Sequence, residues 1–159
     1  MFALLGSMLL IMVGLMIVST IVGSYEKRRV CDQISDLASE VLELSPEELL
    51  PSHLGVTVES DNQNPKEMNV AGIYILCNQT KDMCYVGQGR QVLDRIPHHF
   101  EGTGNPEVYE DYTNGDEFIV KLIPLKDSGY QSLNELERHT IMTYNACDAG
   151  YNSVEGKFR

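Results

Sequence analysis

Basic side chains are scarce in this chain, with 12 Lys and Arg against 23 Asp and Glu and a formal net charge of −11 over 159 residues. A chain this acidic approaches any polyanion uphill in the long-range field, which counts against a simple nucleic-acid binder that works by charge alone. Cysteine is sparse too. Cys31, Cys77, Cys84 and Cys147 form no CxxC pair and no ligand-like spacing with His53, His98, His99 or His139, so no structural zinc site is expected. The reading left for these thiols is the free, reduced state of a reducing compartment. Length excludes two full domains and leaves room for one compact unit plus an anchor.

Charge is missing altogether from Phe2 to Val22, FALLGSMLLIMVGLMIVSTIV. As a helix, that run is long enough to cross a hydrocarbon core of about 30 Å, so residues 1–23 are expected to form a single transmembrane span. A cleaved secretory signal is the competing reading, but such signals place a basic segment before a shorter apolar core, and only the amino terminus precedes this one. Lys27, Arg28 and Arg29 follow directly. A basic cluster beside a single span tends to stay on the cytoplasmic side, which predicts a single-pass protein with its C-terminal domain in the cytoplasm.

Residues 24–58 read as a helical connector. Val30, Ile34, Leu37, Val41 and Leu44 recur at alternating four- and three-residue intervals, with Asp32, Asp36, Glu40 and Glu43 off the stripe, the pattern of an amphipathic helix. Two partners are open to that stripe: a second copy of the chain, giving a homodimer through the residue 30–44 helix, or the C-terminal domain itself. Ser45-Pro46-Glu47-Glu48 combines a capping serine, a proline at the first helical position and acids in the first turn, predicting a short second helix to Leu50. Leu54, Val56 and Val58 alternate like a brief strand. Residues 59–69 (ESDNQNPKEMN) are polar, aperiodic and hold a proline, as a linker would, which places the boundary of a new domain at residue 70.

Val70–Leu76 and Cys84–Gly87 are apolar and β-favouring, and the turn-like Asn78–Asp82 lies between them, so the pair predicts a hairpin. Its strands carry Gly72-Ile73-Tyr74 and Tyr85-Val86-Gly87. Eight positions after Gly87 comes Arg95, and four later His99, in RQVLDRIPHHF. Glu137 lies in a helix that starts near Ser132 and runs through Tyr144, and Gly150-Tyr151-Asn152 follows. In this order and spacing the segment resembles the GIY-YIG nuclease family, with valine replacing the usual isoleucine of the second triplet. Each short motif alone is cheap, but five ordered matches across residues 70–156 are not.

The resemblance implies an α+β fold in which a three-stranded antiparallel sheet is flanked by helices, with Phe118–Leu125 as third strand. It implies a divalent-metal-dependent endonuclease that hydrolyses DNA phosphodiesters with Mg²⁺ or Mn²⁺. Tyr74 would orient or deprotonate the attacking water, supported by Tyr85. Arg95 would clamp the phosphate, His99 would assist proton transfer or touch substrate, Glu137 would bind the metal, and Asn152 would order Glu137 or the metal's waters. Some members place a further basic or histidine residue between Phe100 and Phe118, and this chain has none there.

The chemistry asks for such residues on its own account. Phosphodiester hydrolysis needs a positioned water, a proton acceptor and positive charge where the reacting oxygens become more negative. A hard cation takes oxygen ligands and keeps several waters, so one carboxylate suffices beside the substrate phosphate. A phenol titrating near 10 is a poor base at neutral pH, so a cation must depress it. Cys77 and Cys84 flank the hairpin turn and would pair as a disulfide only if the domain lay outside the cytoplasm. A membrane tether would confine cutting to DNA near the bilayer, where incoming phage or conjugative DNA passes. The alternative is an inactive scaffold on the same fold, against which stands the retention of Tyr74, Tyr85, Arg95 and Glu137.

Overall fold

A computed structural model describes residues 2–50, 69–154 and 156, with side chains from Ile11 onward. In chain order the elements are α1 (Phe2–Ser39), β1 (Glu43–Leu44), α2 (Pro46–Leu49), β2 (Gly72–Asn78), β3 (Met83–Gly89), α3 (Ile96–Phe100), α4 (Pro106–Thr113), β4 (Phe118–Pro124) and α5 (Leu133–Thr143). The strand expected at Leu54–Val58 and all but the last residue of the expected linker lie outside the described residues.

The sheet has four strands in the order β1-β4-β2-β3, all antiparallel. The expected third strand and hairpin are present, but the sheet is one strand wider than predicted. Glu43 and Leu44 of the connector pair with Lys121 and Val120 of β4, and Lys121 Nζ reaches Glu43 Oε1 at 2.8 Å. Two residues carry too little periodicity to announce a strand, and only the free edge of β4 makes them one.

Strand β2 has neighbours on both sides and helices on both faces, so all seven of its residues are buried. Its alternate side chains feed two cores. Ile73, Ile75 and Cys77 pack with Ile34, Ala38, Leu136 and Ile141 from α1 and α5. Tyr74 and Leu76 face the other way, among Val92, Ile96, Phe100, Val108 and Tyr151.

Two expectations are corrected here, and a third finds no support. The predicted amphipathic helix is not a separate element: α1 runs unbroken to Ser39, so Val41 and Leu44 leave the stripe, while Ile34 and Ala38 are buried against the chain's own domain. That packing uses the face on which a homodimer was expected. The membrane span predicted over residues 1–23 is not supported by the described residues, among which no helix is long and apolar enough to cross a membrane. From Ile11 onward the side chains along that stretch are exposed all round.

The second correction concerns the thiols. Cys77 and Cys84 face each other across β2 and β3, Cα atoms 4.2 Å apart, and form a disulfide, while Cys31 and Cys147 are free. The register leaves the two sulfurs no choice of neighbour. Alkylation of the unreduced, unfolded protein followed by mass spectrometry should therefore label Cys31 and Cys147 and spare Cys77 and Cys84. Cys84→Ser should lower unfolding free energy by about 2 kcal/mol, the scale for so short a closed loop, measured by denaturant titration.

Capping chemistry ties the connector down as expected. The Ser45 backbone N–H donates to Glu48 Oε2 at 2.7 Å, and α2 follows with Pro46 in its first turn.

Candidate active site

The hairpin turn is fixed from within. Asn78, fully buried, accepts through Oδ1 from the backbone N–H groups of Thr80 and Lys81, at 2.9 and 3.0 Å. Its Nδ2 lies 2.7 Å from Asp116 Oδ2 and 2.8 Å from the Tyr151 hydroxyl, which in turn donates to Asp111 Oδ2 at 2.7 Å. Lys81 Nζ closes this network on Asp111. The tyrosine of the Gly150-Tyr151-Asn152 element is thus a clamp on the turn.

The same element covers the free edge of the sheet. Tyr151 N–H donates to the Cys84 carbonyl at 3.1 Å, and the Asn152 amide meets both backbone groups of Val86, each at 2.8 Å. Paired this way, edge strand β3 presents fewer open backbone groups. Asn152 therefore lines the cleft while its amide is committed to the Val86 backbone.

Tyr74 points from β2 across its neighbour strand. A Cβ on Gly87, the residue paired with Tyr74, would collide with the Tyr74 ring and hydroxyl, so glycine in the second triplet is a requirement of close approach. Tyr85, on β3, lies with its ring centroid 6.2 Å from that of Tyr74, and His99 of α3 sits 5.5 Å from Tyr74 and 4.6 Å from Tyr85. A Cβ on Gly104 would likewise collide with His99, at 2.8 Å from its Nδ1.

The protonation of this group follows from its partners. The Asn105 backbone N–H donates to His99 Nδ1 at 3.0 Å. Burial, then the charges of Arg95 and His98, lower the His99 pKa from 6.5 to about 4, so the ring is neutral at pH 7. A neutral imidazole that accepts at Nδ1 carries its proton on Nε2. That Nε2–H donates to the Tyr74 hydroxyl oxygen, 3.0 Å away. His99 is thereby a donor to Tyr74 and cannot take its proton in this state.

Burial first, and the neighbouring Tyr85 next, hold the Tyr74 phenol well above its ordinary value; Arg95 opposes this and does not overcome it. Tyr85 is raised in the same direction, again by burial first. The expected depression of Tyr74 is thus absent from the resting site.

Arg95 precedes α3 as its N-cap and is exposed, and Glu137 is half-buried one strand away on α5. Because β3 is the edge strand, a helix from each face of the sheet reaches around it. Tyr74, Tyr85, Arg95, His99, Glu137 and Asn152, the six residues singled out from sequence, all line one cleft of about 890 Å³. Sequence reasoning passed over Gln88, whose Nε2 donates to Glu137 Oε2 at 2.7 Å, and Asn105; neither belongs to a recognisable motif. It also set aside His98, which borders the same cleft with Nδ1 2.9 Å from Thr103 Oγ1, and His139, which pairs with the Tyr130 hydroxyl at 3.0 Å.

As a metal site the cleft is spare. Among the described residues no group of three or more His, Cys, Asp or Glu could hold an ion. One oriented carboxylate in a cleft shared with an arginine fits a hard cation that would retain its waters and share a substrate's oxygens.

A hairpin bearing two tyrosines, with an arginine and a glutamate brought to it by helices from opposite faces, defines a nuclease-type catalytic domain. The family model described as the GIY-YIG catalytic domain matches residues 70–152, and the chain belongs to that family, a nuclease superfamily. No curated protein and no solved structure matches the chain.

The His99 shift has a sign. In the unfolded chain the imidazole takes a proton near pH 6.5, and in the fold only near 4, so stability fully present above 6.5 is lost as pH falls toward 4, by on the order of 3 kcal/mol. His99→Gln lacks that titration. Its thermal midpoint should fall less steeply than that of the wild type between those two pH values, as read by circular dichroism.

Proposed function

We propose that this chain is a divalent-metal-dependent DNA endonuclease held at a membrane by its N-terminal helix. The observation that carries the nuclease reading is the meeting of Tyr74, Tyr85, Arg95, His99 and Glu137 in a single cleft. Glu137 is the residue to hold Mg²⁺ or Mn²⁺, and a bound cation would supply positive charge where the reacting phosphate oxygens gain negative charge. Arg95 offers a planar guanidinium fork to two phosphate oxygens. Tyr74 receives a hydrogen bond from His99 and is hydrogen-bonded to Tyr85, and its oxygen, held in this way, would orient the attacking water. The His99 donor and the Arg95 charge both favour the phenolate over the phenol, so they aid Tyr74 when it takes a proton from that water.

The acidic surface is consistent with a weak intrinsic hold on DNA, so a tether that raises local concentration has value. Support for the tether lies in the uncharged sequence from Phe2 to Val22 and in the full exposure of its described side chains. DNA passing the bilayer, such as phage or conjugative DNA, is the substrate this placement suits. Lys27, Arg28 and Arg29 favour a cytoplasmic domain. The Cys77–Cys84 disulfide favours the opposite reading, a domain facing an oxidising compartment.

Full-length protein in detergent, incubated with supercoiled plasmid and Mg²⁺ or Mn²⁺, should nick or linearise it. Arg95→Ala and Glu137→Ala should each cut at least about 100-fold more slowly, the scale for removing a charge-stabilising group. A wild type silent with both metals would leave the inactive scaffold as the better reading. Flotation of expressed protein with lipid vesicles should carry it to the top of a density gradient, and deletion of residues 2–22 should leave it at the bottom. C-terminal reporter fusions distinguish the two orientations.

A further inference from the structure

Gln88 follows the Tyr85-Val86-Gly87 triplet near the end of edge strand β3 and is half-buried. Its Nε2 donates to Asn134 Oδ1 at 2.9 Å and to Glu137 Oε2 at 2.7 Å. An amide nitrogen carries two hydrogens in a fixed plane, so each is committed to one acceptor. Asn134 and Glu137 are three residues apart on α5 and share one face of it. Gln88 therefore spans from the strand that carries Tyr85 to the helix that carries the carboxylate, and Asn134 fixes the plane in which it does so.

Chemistry explains why this position suits an amide. A glutamate side chain on a half-exposed helix face samples several rotamers, and each is lost when the carboxylate is held. A lysine or arginine would hold it as firmly but would cancel the charge that attracts a cation. A glutamine donates and leaves the charge intact, and a carboxylate oxygen with two lone pairs accepts one such bond without losing its capacity as a ligand. This is the arrangement by which groups behind a ligand orient it.

We propose that Gln88, braced by Asn134, is a positioning residue that helps aim the Glu137 carboxylate at the divalent cation. The inference rests on the reading that Glu137 holds the metal, and the experiment separates the two. Mn²⁺ is titrated into full-length, DNA-free protein and the free ion is counted by electron paramagnetic resonance, while the thermal midpoint of the metal-free protein is measured alongside. Wild type should bind Mn²⁺ and Glu137→Gln should abolish binding. Gln88→Met, similar in volume and without a donor, should weaken binding about tenfold with the metal-free midpoint unchanged. Asn134→Ala should weaken it in the same direction and by less. Wild-type affinity in Gln88→Met would overturn the proposal, as would a loss of affinity that merely tracks a lowered metal-free midpoint. Equal binding by wild type and Glu137→Gln would instead sink the metal assignment, and this proposal with it.

Discussion

The position of one aromatic ring governs the cleft. Tyr74 lies across Gly87 because that residue has no side chain, and only from there does its hydroxyl reach the imidazole of His99. His99 in turn is held by a backbone N–H of Asn105, whose side chain caps α4 by accepting from Glu107 and Val108 N–H and donates to the Tyr151 carbonyl. A single buried hydrogen bond is thus backed by a helix cap, a closing loop and a glycine contact. Within so dry a neighbourhood each unsatisfied partner would be costly, so the network acts as a unit.

That unit sets the electrical character of the site. Desolvation keeps both tyrosines as phenols and His99 as a neutral ring, and Arg95 and Glu137 bring charges of opposite sign to the same cleft. One sits on each side of edge strand β3. Under the proposed function this arrangement would be tipped by what binds: a phosphate would engage Arg95, a cation would engage Glu137, and each would alter the field at Tyr74. The resting structure is accordingly a poor proton acceptor, and its competence depends on what enters it.

Much of this was legible in residue order. The hairpin follows from its period and turn residues, which are local signals, while Arg95, His99 and Glu137 were singled out by the family resemblance that the two triplets carry. Helix α2 is a local signal too, announced by serine, proline and acids in a row. What spacing could not show is contact between segments far apart. Strand β1 exists only because β4 offers it an edge, and Gln88 gains meaning only when α5 is laid beside β3. Asn152 lines the cleft, yet its amide serves the Val86 backbone, a choice made by where the closing loop lands. The disulfide was argued away by compartment, a global premise, when the local register already set Cys77 opposite Cys84. The connector was divided where its composition changes, but a basic triplet is no obstacle to a helix, and α1 passes through it.

That unbroken α1 makes the N-terminal segment a lever with its fulcrum inside the fold. Ile34 and Ala38 are locked into the core under β2, and a straight helix advances about 1.5 Å per residue, so Val22 stands roughly 18 Å from Ile34 along the rod. No soft joint intervenes between Val22 and Ser39. Whatever grips the first turns fixes the height and heading of the whole catalytic body, as a mast fixes a lantern, and leaves it reach over a shell of set depth only.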